Sequence, residues 1–224
     1  MYKYLLFDLD NTLLDFTKAE ARALKSTFDK FNIPYNDTNV SLFRKFNLKY
    51  WSLFEEGKIS KERLLVKRFE DFFASINIDK VNPDEFNVYY LDQLTNGSEE
   101  IDDAYFLLDN LNNYDISIIT NGVSLTQRKR ISKSRLNKYF NHLYISDEIG
   151  YQKPKVEFFD YVVKDLNIKD KKEVLLIGDS LTSDISGGIQ YGIDTVWFNP
   201  KKLDSLVKPT YIINNLKELL NILS

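Results

Sequence analysis

Apolar residues along this chain follow two rhythms. Short unbroken runs occur at Tyr4 to Leu9, Ile116-Ser117-Ile118-Ile119, Leu143-Tyr144-Ile145, Val174-Leu175-Leu176-Ile177 and Thr195-Val196-Trp197-Phe198. Runs of this length between polar residues predict strands buried on both faces, as in a parallel sheet. Segments between them, such as Thr126 to Tyr139 and Val156 to Leu166, predict amphipathic helices. Strands alternating with helices imply a doubly wound, Rossmann-like α/β domain.

The interval 16–96 breaks that alternation. Phe43, Phe46, Tyr50, Leu53 and Phe54 recur at helical spacing, as do Leu65, Phe69, Phe72 and Phe73, and no strand pattern intervenes. The expected organisation is therefore a core of residues 1–15 and 97–224 with an all-helical insert, 16–96, placed after the first strand. Glu55-Glu56-Gly57-Lys58-Ile59-Ser60 predicts a turn between two of its helices, and Asn96-Gly97 the return to the core. Aromatic residues of the insert, among them Trp51, are expected mainly to form its interior, with a minority free to stack on a ligand.

Composition narrows the function classes. The chain has 224 residues, 43% hydrophobic and 28% charged, which suits a folded globular protein. Its 30 Lys+Arg against 33 Asp+Glu give no general attraction to a polyanion, so no nucleic-acid polymer is expected as a partner. The absence of cysteine removes disulfides, thiolate metal sites and a cysteine nucleophile. Asp8 and Asp10 interrupt the first apolar run, so it does not read as a signal peptide, and no stretch reaches membrane-span length. A cytoplasmic protein, monomer or homodimer, without membrane association is expected. The basic run Arg128-Lys129-Arg130 with Lys133, Arg135 and Lys138 reads as the solvated face of a helix, and the single histidine, His142, as structural or surface.

The candidate chemistry lies at the strand ends, where ligands bind in open parallel sheets. Asp8-Leu9-Asp10-Asn11-Thr12 follows the first strand, Thr120-Asn121-Gly122 the second, and Gly178-Asp179-Ser180-Leu181-Thr182-Ser183-Asp184 the fourth. Gln152-Lys153-Pro154 adds a lysine ahead of a helix that Pro154 is placed to open. Clustered carboxylates repel one another and need a compensating cation, and a hard divalent ion with oxygen ligands meets that need beside a phosphate.

Asp8-x-Asp10-x-Thr12, Thr120, Lys153 and the Gly-Asp-x-x-x-x-Asp pattern ending on Asp184 occur in the order and spacing of the haloacid dehalogenase superfamily, which this chain resembles over its whole length. The resemblance implies a Mg²⁺-dependent phosphomonoester hydrolase with a helical cap of type 1. It implies Asp8 as nucleophile and Asp10 as the acid and base serving the leaving group and water. Thr120, the backbone of Asn121, Asp10 and Lys153 would bind phosphate; Asp8, the Asp10 carbonyl and Asp179 would hold the metal, with Asp184 behind them. An ionised carboxylate needs no base to act as a nucleophile, whereas the acid must carry a proton at working pH. Dehalogenases lack the second aspartate, so Asp10 disfavours that activity.

Gly178 to Ile185 with Gly187-Gly188, together with Leu14-Asp15-Phe16 and Ala19-Glu20, is similar to a branch of 5′-nucleotidases acting on pyrimidine nucleoside monophosphates. Asp15 and Phe16 are expected to line the pocket or act as a hinge, and the insert to close over the phosphate site. Phosphoglycolate phosphatase, sugar-phosphate phosphatase and phosphomutase share the same motifs. A regulatory protein that binds a phosphorylated metabolite without turnover is the alternative from another class.

Overall fold

The computed structural model describes residues 1–224. The chain divides into two compact units, Met1–Phe16 with Ser98–Ser224, and Thr17–Gly97.

The first unit is built on a six-stranded sheet of β1 (Tyr4–Phe7), β2 (Asp115–Thr120), β3 (His142–Ile145), β4 (Val174–Gly178), β5 (Asp194–Phe198) and β6 (Tyr211–Ile213). The order is β3-β2-β1-β4-β5-β6 and every pairing is parallel. Alternate residues of a strand face opposite sides. Leu5 and Phe7 of β1 accordingly pack with Ile116, Ile118, Leu175 and Ile177 on one side, while Leu6 packs with Ile119, Leu176, Phe158 and Phe159 on the other. Burial of both faces explains why the strands read as continuous apolar runs.

Helices of the two units are α1 (Phe16–Lys30), α2 (Asp37–Glu55), α3 (Lys61–Ser75), α4 (Pro83–Leu94), α5 (Ala104–Asp109), α6 (Ser124–Lys133), α7 (Ser146–Ile149), α8 (Val156–Asp165), α9 (Ser186–Tyr191) and α10 (Leu219–Leu223). None is long and apolar enough to cross a membrane.

Three sequence expectations shift. The helix expected over Thr126–Tyr139 ends at Lys133 and resumes only as a short 3-10 turn at Leu136–Lys138. At the break, Ser134 Oγ donates to the Ile131 carbonyl at 2.8 Å and accepts from the Leu136 N–H at 3.2 Å, so a side chain takes over helical hydrogen bonding. Pro154 does not open a helix; α8 starts at Val156 with Lys155 as its N-cap. The sixth strand escapes sequence reading because β6 has three residues, two of them exposed at the sheet edge.

Thr17–Gly97 is helical throughout its regular structure. Side chains of Asn36, Ser60 and Asn82 cap the N-termini of α2, α3 and α4, supplying acceptors for otherwise unpaired N–H groups. Gly57, between α2 and α3, takes a φ of 72°, where a Cβ is disfavoured. Phe28, Phe43, Phe69, Phe72 and Phe86 form the interior, whereas Phe46 and Trp51 are half-buried. Arg68 is enclosed with them, donating to Asn47 Oδ1 at 2.7 Å and Asn87 Oδ1 at 3.0 Å. Its guanidinium also lies over the Phe69 and Tyr90 rings, so hydrogen bonds and ring faces compensate the buried charge.

Candidate active site

Pairing sets Phe7 beside Ile118 on one side and Ile177 on the other. Asp8, Thr120 and Asp179 therefore lie at the same carboxyl edge of the sheet. The strand order reverses around β1 and β4, which places this edge at a topological switch point.

Asp8 is buried, and its two oxygens have different partners. Oδ1 accepts from Lys153 Nζ at 2.8 Å and Oδ2 from Thr12 Oγ1 at 3.2 Å. The same ammonium donates to Asp184 Oδ1 at 2.6 Å and to the Ile119 carbonyl at 3.0 Å, giving its three protons three acceptors. Asn121 clamps the Lys153 backbone: its amide nitrogen donates to the Lys153 carbonyl at 2.8 Å and its oxygen accepts from the Lys153 N–H at 2.9 Å. Asp184 Oδ2 accepts from the Ser180 N–H at 3.2 Å. Gly178 makes room for this carboxylate, because a Cβ there would lie 2.3 Å from it.

Electrostatics follow from this crowding. Burial pushes the Asp8 carboxyl up to about 7, with Lys153 pulling it back and Asp184 and Asp10 raising it again. Burial, then Asp8 and Asp184, push Asp179 up to about 8. Burial alone would lower Lys153, yet the attraction of Asp184 and Asp8 more than offsets it and the ammonium is held above its ordinary value. Oxygens of Asp8, Asp179 and Asp184 lie within 4.8 Å of one another. Three carboxylates thus meet one ammonium, an excess of negative charge that a divalent cation would balance, and an all-oxygen donor set fits a hard ion such as Mg²⁺. Asp184 accepts a hydrogen bond at each oxygen, from Lys153 and the Ser180 N–H, as Asp8 does from Lys153 and Thr12, so both carboxylates are already oriented by fixed donors.

The Asp10 carboxylate stands outside that cluster. Its Oδ1 accepts from Arg130 and its Oδ2 from Gln127 Nε2 at 2.6 Å. Gln127 Nε2 also donates to Thr120 Oγ1 at 3.0 Å, and Gln127 Oε1 accepts from Arg130 at 2.9 Å. Arg130, read from sequence as part of a solvated basic face, is instead fully buried and lies over the Phe16 ring. The rest of that run, Arg128, Lys129, Lys133, Arg135 and Lys138, is exposed as expected.

Within a basic run Arg130 does not stand out, and Gln127 carries no charge to mark it. Helical phase carries the signal: Gln127, Arg130 and Ile131 share one face of α6 and all are buried. Trp197, one residue before the end of β5, likewise does not stand out in the sequence; its indole N–H donates to the Asp179 carbonyl at 2.9 Å. His142 opens β3, stacks on Tyr144 and takes no part in this site.

Residues 5–198 match the haloacid dehalogenase-like hydrolase family. The chain belongs to that family. YfnB, a HAD-hydrolase of Bacillus subtilis, is 38% identical over the whole of this chain and 96% of its own length. Its crystal structure, bound to magnesium, superposes with a TM-score of 0.95 over 99% of this chain and 98% of that one. The pyrimidine 5′-nucleotidase PynA of Streptococcus pneumoniae is 35% identical, covering 99% of this chain and 95% of PynA. The pyrimidine 5′-nucleotidase YjjG of Escherichia coli is 30% identical over 97% of this chain and 96% of its own. As a family member the chain is a hydrolase, and these relatives support phosphoric monoester hydrolysis as its reaction class.

Proposed function

We propose that this hydrolase cleaves phosphoric monoesters through a phosphoenzyme on Asp8, with Mg²⁺ as cofactor and pyrimidine nucleoside monophosphates as preferred substrates. The observation that carries the reading is the buried Asp8 carboxylate at the carboxyl end of a central strand, with Lys153 fixed against one oxygen by Asp184 and Asn121. Pyrimidine nucleotides are favoured by the names of two relatives that match nearly the whole chain.

In the first step an Asp8 oxygen forms a bond to phosphorus as the bond to the leaving oxygen breaks, and Asp10 gives that oxygen a proton. In the second, water attacks the phosphorus, Asp10 takes a proton from it, and Asp8 departs as a carboxylate with release of phosphate. Lys153 offsets charge on Asp8 and the phosphoryl oxygens, and the Thr120 hydroxyl donates to one of those oxygens. Mg²⁺, held by Asp8, Asp179 and the Asp10 carbonyl with Asp184 behind, would neutralise the phosphate and orient it.

The test is kcat/KM on dTMP, dUMP, UMP, AMP, phosphoglycolate and hexose phosphates with Mg²⁺ present. A pyrimidine nucleotide is expected to lead. If phosphoglycolate or a hexose phosphate exceeds every nucleotide by about tenfold, roughly 1.4 kcal/mol of transition-state stabilisation, the nucleotide assignment fails and monoester hydrolysis stands. No turnover of any phosphate would favour the metabolite-binding alternative.

A further inference from the structure

The site holds one side-chain amide whose every hydrogen-bonding direction is dictated by its neighbours. Gln127 is 2% exposed. Its Oε1 faces the Arg130 guanidinium, which can only donate, so its Nε2 must be the group facing Asp10 and Thr120. Those two contacts, at 2.6 and 3.0 Å, use both amide protons. One side chain therefore joins the carboxylate assigned to proton transfer with the hydroxyl assigned to phosphate binding.

The joint is built into the fold at both ends. Thr120 Oγ1 also accepts from the Gly122 N–H at 3.1 Å. With two bonds accepted, its hydroxyl hydrogen is left to donate elsewhere, as a phosphate-binding group requires. A Cβ at position 122 would lie 2.2 Å from Gln127 Nε2, so Gly122 is what lets the amide approach. Helix α6 is tied down beside it: the Ser124 N–H donates to Asp147 at 2.9 Å, and Arg128 grips both Glu148 oxygens at 2.7 and 2.6 Å.

The geometry points to Gln127 as a positioning residue that, with Arg130, aims the Asp10 carboxyl for proton transfer to the leaving oxygen. This inference rests on the proton-transfer role proposed for Asp10. Arg130 holds Oδ1 and Gln127 holds Oδ2, so loss of the amide leaves the carboxyl free to rotate about a single contact. Thr120 keeps its bond from Gly122, so phosphate binding should suffer less.

The experiment compares kcat for dTMP, whose alkoxide leaving group needs a proton, with p-nitrophenyl phosphate, whose leaving group needs little help. Gln127→Leu and the equally long Gln127→Met are measured beside Asp10→Asn, each checked by thermal melting. Gly122→Ala displaces the amide without altering Gln127 and stands in for both should neither variant fold. Displacing the amide should cost about tenfold more on dTMP than on p-nitrophenyl phosphate, a part of the roughly 10²–10⁴-fold that general-acid assistance supplies. Adding Gln127→Leu to Asp10→Asn should cost no more than about twofold further on dTMP, since groups acting as a unit are not additive. Equal losses on both substrates, or independent losses in the double variant, overturn the inference provided Asp10→Asn itself discriminates. If Asp10→Asn affects both substrates alike, the proton-transfer role of Asp10 falls instead.

Discussion

Lys153 Nζ donates to Asp184 Oδ1 at 2.6 Å where neither side chain is more than 1% exposed. A buried ion pair of this kind is costly to break on one side only, by about 3–5 kcal/mol, because the surviving charge has no solvent. Lys153→Met should therefore lower the melting temperature sharply. Adding Asp184→Asn should recover part of the loss, since it removes one stranded carboxylate. A double variant melting below Lys153→Met would contradict the pairing.

Asp8→Asn replaces the proposed nucleophile with a near-isosteric amide that cannot form an acyl phosphate. Turnover of any phosphomonoester should fall by about a thousandfold or more. The variant should remain folded, because the amide oxygen can still accept from Lys153. Near wild-type activity in a folded sample would end the covalent mechanism.

EDTA should stop activity and Mg²⁺ restore it. Ca²⁺ should inhibit, as a larger ion of higher coordination number can engage both oxygens of Asp8. The indole of Trp197, bonded to the Asp179 carbonyl, supplies a second readout. The chain has two tryptophans, so Trp51→Phe leaves Trp197 as the single indole, excited selectively beyond the tyrosine absorption band. Mg²⁺ should then shift its fluorescence with saturation, and Asp179→Asn should suppress the response. Full activity after exhaustive chelation would contradict the roles of Asp8 and Asp179.

Metal-free stability should depend on pH in a definite sense. Asp8 is pushed up to about 7 and Asp179 to about 8, so the folded state holds more protons than the unfolded chain between the ordinary carboxyl range and those values. Stability contributed by these groups is complete in acid and is lost as pH rises through them. In EDTA, Asp179→Asn should gain melting temperature relative to wild type between about pH 5 and pH 8.5. Mg²⁺ should protect wild type more at the higher pH. A difference that shrinks with rising pH would show that burial and the neighbouring carboxylates do not raise Asp179 in the folded state.

The sequence by itself carried the parallel α/β sheet and the motif residues at its strand ends. Strands buried on both faces must be continuously apolar, so Tyr4–Phe7 and Val174–Gly178 announce themselves without tertiary information. A residue that follows such a strand is delivered to the sheet's carboxyl edge, which is why Asp8 and Asp179 were legible as a pair. β6 was not legible, because three residues with one buried side chain lie below what periodicity can resolve. Tertiary structure alone decided where the side chains at that edge turn. Composition shows Arg130 within a basic run, but its burial depends on the phase of α6 against the sheet. Asp10 lies two residues from Asp8, yet its carboxylate is directed by Gln127 and Arg130, more than a hundred residues away along the chain. Local pattern fixes which backbone segments form and which face is apolar; the partner of a polar side chain is set by through-space geometry that no local pattern encodes.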